Sequence, residues 1–179
     1  MSEKLWFQHS IEGLLRGLTG RVTPQLTARL LEVGIDAKKL LPGYGRDVVR
    51  DAVRAIAAEV FPSLPPEQAE RETGKLFIQG YGRTLVGASM LQLMRIIGPR
   101  MTLERMQRNF RTGTNFVETR FTSLGARAAE LWFNDHSGVP EFIAGIIEGG
   151  AAHTGAKGAR VTISARDEVS CTLRVDWEE

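Results

Sequence analysis

The side chains able to do acid–base chemistry are few and scattered. His136 stands beside Asp135 in "NDHSG", and Glu141 follows in the next segment. A histidine with two acids nearby is the least that a hydrolase or lyase needs for proton transfer, so these three residues form the one candidate set for that work. His9 and His153 lie far from it. Neither Cys-x-x-Cys nor His-Glu-x-x-His occurs, and no histidine has a second ligand at metal spacing, so no metal is expected. Cys171, on an alternating run with Leu173 and Val175, reads as a small buried hydrophobe with no base to activate it. A Gly-x-Ser-x-Gly elbow is absent. No catalytic residue is assigned, and the reading leans away from an enzyme.

A second candidate is "TGKLFIQGYGRTLVGASM", residues 73–90, with Gly74, Gly80, Gly82 and Gly87 in an otherwise helical segment. A phosphate-cradling loop needs Gly-Lys-Ser/Thr after a strand, and a dinucleotide fingerprint needs Gly-x-Gly-x-x-Gly. Neither spacing is met. Gly80, Thr84 and Gly87 instead recur at helical intervals, which predicts a helix packed backbone against backbone, kinked near Gly80 and Gly82. If that helix borders a ligand, its binding groups are Gln79, Tyr81, Arg83, Thr84 and Gly87.

A third candidate is basic. Between Arg95 and Arg120 six arginines face two acids, Glu104 and Glu118, a local balance of +4. Arg100, Arg105, Arg108 and Arg111, with Phe110 and Phe116 interleaved, form a candidate anion-binding set able to hold phosphates or stack bases.

The elements that must position these residues follow from periodicity. Residues 3–19 have helical spacing, with a short strand from Leu5 to His9 as the alternative. "VTPQLTARLLEVGI" is a helix capped by Thr23, with Pro24 in its first turn and Gly34 as its stop. "LLPGYG" reads as a turn. "RDVVRDAVRAIAAEVFP" puts Val49, Val53, Ile56, Ala57 and Val60 on one face. A further helix opens at Pro65 and Pro66 and runs toward Ile97, where "GPR" breaks it; "TLERMQRNFRT" is a short helix capped by Thr102. Two extended runs follow, "NFVETRFTSLG" and "RAAELWFND", then a helix over "SGVPEFIAGIIEGGAAHTG". The last elements are two strands, 159–165 and 169–177, joined by a turn at Arg166 to Glu168. About five helices followed by strand–strand–helix–strand–strand predict an α+β fold, a helical layer (1–112) on an antiparallel sheet (113–179), in a single domain.

The totals set limits. A chain of 179 residues with 42% hydrophobic and 25% charged residues is ordinary globular protein, and a net charge of +2 calls for no polyanionic partner. The single cysteine calls for no oxidising compartment, and no stretch has the apolar length of a signal peptide core or a membrane span. The expectation is a cytoplasmic protein.

"FQHSIEGLLRGL", "LLEVGID", "ETGKLFIQGYGRTLVGASM", "IIGPRMTLERMQRNFRTGTNF" and "FIAGIIEGG" through "CTLRVDW" together resemble a family of uncharacterised proteins with many paralogues in myxobacteria. That family carries no established activity, so the resemblance supplies no catalytic residue. Strand–strand, the "FIAGIIEGG" helix and a closing hairpin are also similar, more distantly, to vinyl-reductase-type small-molecule-binding domains, haem nitric-oxide-binding domains and Bet3-like trafficking subunits. The resemblance implies an apolar ligand held between helices and sheet, or pairing as a dimer. The chain departs from the haem-binding members: no histidine occurs between His9 and His136, and Tyr-x-Ser-x-Arg is missing. Haem, and any other cofactor, is therefore not expected.

The expectation is a non-catalytic sensory or scaffold domain that binds a small apolar ligand or a protein partner, as a homodimer. The alternatives are a nucleic-acid or nucleotide regulator using the Arg95–Arg120 segment, and a hydrolase or lyase using His136 with Asp135 or Glu141.

Overall fold

The computed structural model describes residues 3–178. A short strand β1 (Leu5–Phe7) runs straight into helix α1 (Gln8–Gly17) and pairs antiparallel with β2 (Gly43–Gly45), setting Trp6 opposite Tyr44. Between them lies α2 (Pro24–Glu32). Thr23 caps it by accepting from the Leu26 amide at 3.0 Å, as its sequence predicts. "GYG", a turn by its sequence, is a strand here. Two glycines in three residues hide a strand that exists only because β1 offers it an edge.

Helix α3 (Arg46–Val60) buries Val49, Val53, Ile56 and Ala57 as its spacing calls for, with Ala52 beside them and Val60 half-buried at its end. Helix α4 (Pro66–Tyr81) follows, and here the expectation of one helix running to Ile97 fails. The chain leaves the helix after Tyr81, and Thr84 caps a new one, α5 (Leu85–Glu104), by accepting from the Gly87 amide. The small-residue spacing therefore spans two helices and the turn between them. α5 is itself bent at Gly98, whose φ of 78° and ψ of 177° only glycine adopts readily; Pro99 follows. Thr102 is not a cap. It is buried past the kink, and its hydroxyl donates to the Met94 carbonyl that the kink releases. The next helix, α6 (Met106–Gly113), starts at Arg105.

The sheet has the order β3-β4-β6-β5, from β3 (Thr119–Ser123), β4 (Ala128–Phe133), β5 (Lys157–Arg166) and β6 (Cys171–Glu178), all antiparallel, with α7 (Pro140–His153) inserted after β4. The architecture is thus the expected α+β arrangement, with six helices before the sheet among the described residues where about five were expected. Cys171, Leu173, Val175 and Trp177 face inward, as the alternation predicts; Val169, placed with them, sits exposed in the turn instead.

α4 lies between α1 and α7, and glycines set both crossings. A β-carbon on Gly80 would stand 2.0 Å from the Gly13 carbonyl oxygen, and one on Gly74 would stand 2.3 Å from that of Phe142. Gly17 and Gly145 answer from the other side, each with a virtual β-carbon under 2.5 Å from an α4 carbonyl oxygen, those of Leu76 and Arg71. The glycines are there so that backbone can lie on backbone.

Candidate functional site

Between the helical layer and the sheet the structure leaves an apolar pocket. α4 contributes Phe77, Ile78 and Tyr81, and α5 contributes Met90, Leu91 and Met94. The segment after the Gly98 kink adds Pro99 and Leu103, α6 adds Met106 and Phe110, α7 adds Ile146, Ile147 and Gly150, and β6 supplies Val175 and Trp177 as the floor. The space free of protein atoms is about 800 Å³ with its open mouth, and about 70 Å³ of it admits the centre of a water-sized molecule. The first figure counts open solvent at the mouth; the second marks a narrow cleft, short of the roughly 300–1,000 Å³ of drug-sized sites but above the roughly 10–15 Å³ one water needs.

No Lys, Arg, His, Asp or Glu lines it; its polar groups are hydroxyls and one amide, including Ser10, Tyr81, Thr102, Asn109 and Thr112. Tyr81 stacks on Phe77 with ring centroids 5.4 Å apart, and its hydroxyl lies 3.4 Å from that of Thr112. Burial raises its pKa above the ordinary phenol value, so it stays a neutral hydrogen-bonding group. Three thioethers, on Met90, Met94 and Met106, make part of the wall adaptable in shape.

Of the five residues proposed from the glycine segment, Tyr81 alone lines this pocket. Gln79 is exposed on a separate, more open groove beside Lys75, Glu148 and His153. Arg83 donates to the Arg16 carbonyl and accepts at its own carbonyl from the Arg16 guanidinium, which joins the α4–α5 turn to the end of α1. Thr84 and Gly87 are occupied in forming that turn: the Thr84 hydroxyl donates to the Tyr81 carbonyl. The reason is the helix break after Tyr81, which turns the later residues away from the α4 face.

The acid–base set is used structurally. Asp135 is fully buried and accepts from Lys4 Nζ at 2.8 Å, Arg46 at 2.9 Å and the Ser137 amide at 2.8 Å. His136 Nδ1 accepts from the Gly138 amide, so its proton is on Nε2, 3.2 Å from the Asp167 carbonyl. Glu141 is bound to Arg71 at 2.6 Å. None of the three lines the pocket. Burial pushes the Cys171 thiol up to about 12, so it is not a nucleophile near neutral pH.

The basic segment divides. Arg100 pairs with Glu104, and Arg120 lies over the Trp132 ring. Arg95, Arg105, Arg108 and Arg111 are exposed. The aromatics that suggested base stacking are spent elsewhere: Phe110 packs edge-on against Phe133, and the Phe116 ring lies under Lys4. Among the described residues no group of three or more His, Cys, Asp or Glu could hold a metal ion, and no helix is long and apolar enough to cross a membrane.

What sequence reasoning missed are the methionines. Of five in the chain, four fall from Met90 to Met106, three on α5 and one at the start of α6, and Met90, Met94 and Met106 line the pocket.

Comparison with known proteins agrees with the fold. The sequence matches, over residues 4–178, the family described as protein of unknown function (DUF2378). No curated protein matches it. Among solved structures, a single-residue variant of Tt H-NOX aligns with 97% of this chain and 95% of its own at TM-score 0.74 and 14% identity. An oxygen-binding H-NOX domain related to soluble guanylate cyclases, in its oxygen complex, aligns over 97% and 96% at TM-score 0.70 and 14% identity. A third, from work on the function of haem distortion in the H-NOX family, aligns over 96% and 95% at TM-score 0.63 and 14% identity. These likenesses establish the fold. They also overturn the expectation that no cofactor belongs here: with the whole H-NOX framework and an interior pocket present, a missing histidine is not ground for excluding haem.

Proposed function

We propose that this chain, which belongs to the DUF2378 family, is a non-catalytic ligand-holding domain whose ligand lies in the pocket between α4, α5, α6, α7 and β6. The observation that carries this reading is the lining itself: aromatic and thioether walls, scattered hydroxyls, and no charged side chain. Such a wall recognises a largely apolar body by burial, worth about 25 cal/mol per Å² covered, and orients it by one or two hydrogen bonds. Tyr81, Asn109 and Thr112 are the groups placed to do so. A sensory or scaffold role follows if occupation alters how α5 lies on the pocket, since that helix forms one wall and also faces solvent.

Haem is the group that the H-NOX likeness brings forward. The side chains in this lining of a type that holds haem iron are Tyr81 and the thioethers of Met90, Met94 and Met106; histidine and cysteine are absent from it. No Lys or Arg lines it to meet the propionate carboxylates. His9, whose Nε2 is buried without a hydrogen-bond partner, lies 6.1 Å ring to ring from Tyr81 and does not line the pocket. The residues present fit the apolar face of a macrocycle and do not fit a histidine-held iron.

The test is to purify the full chain, record its visible absorption before and after adding hemin, and identify by mass spectrometry what organic solvent extracts from it. A stoichiometric apolar molecule, or saturable hemin uptake weakened by Tyr81→Phe, supports the reading. An extract with no bound molecule, together with no uptake of hemin or of a polarity-sensitive dye, overturns it.

A further inference from the structure

α5 is apolar on two sides. One carries Met90, Leu91 and Met94 into the pocket. The other is open to water: Leu85 is 87% exposed, Ile96 75%, Leu93 46% and Val86 41%. Met101, past the kink, is exposed too. The Arg100 guanidinium donates to the Gly125 carbonyl, which brings the β3–β4 turn and its exposed Leu124 to that end of the helix. Of the large apolar side chains left in water among the described residues, most are gathered here, and a patch so concentrated is a mark of an interface.

Read along the helix, that face is nearly the same in both directions. At 3.6 residues per turn, Leu85, Ser89, Gln92 and Ile96 fall on one line, large residues at the ends and polar ones at the centre. The midpoint lies between Met90 and Leu91. A two-fold axis there, with helices antiparallel, sets Leu85 against Ile96 of a second copy and Ser89 level with Gln92. An isologous interface requires this reciprocity, in which one residue meets a second and the second meets the first. Small Ser89 near the axis lets the helices close on each other.

Charge agrees with a second copy and disagrees with an anionic surface. From Leu85 to Ile97 the single ionisable side chain is Arg95, on the flank of the stripe. In the antiparallel pair each Arg95 lies nine residues along from its twin, about 14 Å at 1.5 Å per residue, beyond the roughly 8 Å over which charges act at physiological salt. A bilayer of acidic lipid or an acidic protein would call for several cations on this face.

We propose that the outer face of α5 is the contact between two copies of this chain, packed antiparallel about a two-fold axis near Met90 and Leu91. The contact does not depend on what the pocket holds.

Sedimentation equilibrium of the full chain over a wide concentration range tests it, with Ile96→Glu compared with the wild type. The wild type is expected to dimerise, and Ile96→Glu to raise the dissociation constant about tenfold or more. Its circular dichroism should be unchanged, because Ile96 is already in water in the single chain. A wild type that stays monomeric, or a variant that pairs equally well, overturns the proposal. The register is read separately by mixing Ser89→Cys chains with Gln92→Cys chains under mild oxidation, since native Cys171 is buried. The mixture should yield more disulfide-linked dimer than either chain alone; no excess overturns the antiparallel arrangement.

Discussion

A methyl group at position 80 has nowhere to go. It would meet the Gly13 oxygen at 2.0 Å and the Gly17 nitrogen at 2.1 Å, both backbone atoms of a packed helix. Gly80→Ala should therefore cost about 3 kcal/mol in urea unfolding, or prevent folding, although alanine is the better helix former. Gly45→Ala, with nothing within 4 Å, should cost less than about 1 kcal/mol. Equal stability for the two variants would refute the backbone contact. Asp167 provides a pH test. Hydrogen bonds from the Ser170 hydroxyl and from the Ser170 and Val169 amides lower its pKa to about 2. A lowered acid stabilises the fold above its unfolded pKa near 4 and loses that contribution as pH falls through 2. The stability gap between wild type and Asp167→Asn should be constant above about pH 5 and narrow below about pH 4. Cys171, its thiol raised by burial, should react with a thiol reagent only after unfolding.

At the scale of elements, α5 is the exception to how the other long helices are held. α3, α4 and α7 bury whole faces, whereas α5 buries Gly87, Met94, Thr102 and Leu103 over twenty residues. It is bounded by the Thr84 cap and broken at Gly98. Few buried contacts mean cheap local opening, so amides over 85–97 should exchange hydrogen faster than those of α4 and α7, and slow down when the pocket is filled. No difference on ligand addition would separate α5 from ligand sensing. Gly150 offers a way to narrow the pocket without breaking the helix. Its virtual β-carbon meets only the mobile end of Met94, at 3.3 Å. Gly150→Ala should keep or raise stability by up to about 1 kcal/mol and weaken binding of a fluorescent apolar probe, measured by titration.

Over the whole molecule, Asp135 is a junction. It collects Lys4 from the segment before β1, Arg46 from α3 and the Ser137 amide before α7, while the Trp6 indole donates to Ser137 Oγ beside it. Asp135→Ala removes a buried carboxylate from two cations and should lower the unfolding free energy by about 2–4 kcal/mol. An Asp135→Ala chain as stable as wild type would return this residue to the list of functional candidates. The same junction explains why the acid–base reading arose. "NDHSG" has the residue types of a catalytic turn, and only the partners arriving from residues 4 and 46 reveal it as a fastening.

Local order was written in the chain. Thr23 and Pro24 start α2, the 3.6-residue rhythm of Val49 to Ala57 turns α3 inward, alternation from Cys171 to Trp177 aims β6 at the core, and glycines at 74 and 80 announce close packing. Each rests on steric or periodic rules acting over a few residues, which a sequence displays directly. The pocket was not legible, because its walls come from residues between 6 and 177, and no local pattern encodes the distance at which separate elements stop approaching one another. Nor was the fate of a charged side chain, which depends on whether a partner arrives from elsewhere. Packing in three dimensions decided that the histidine and its acids fasten the fold and that methionines line the space left inside it.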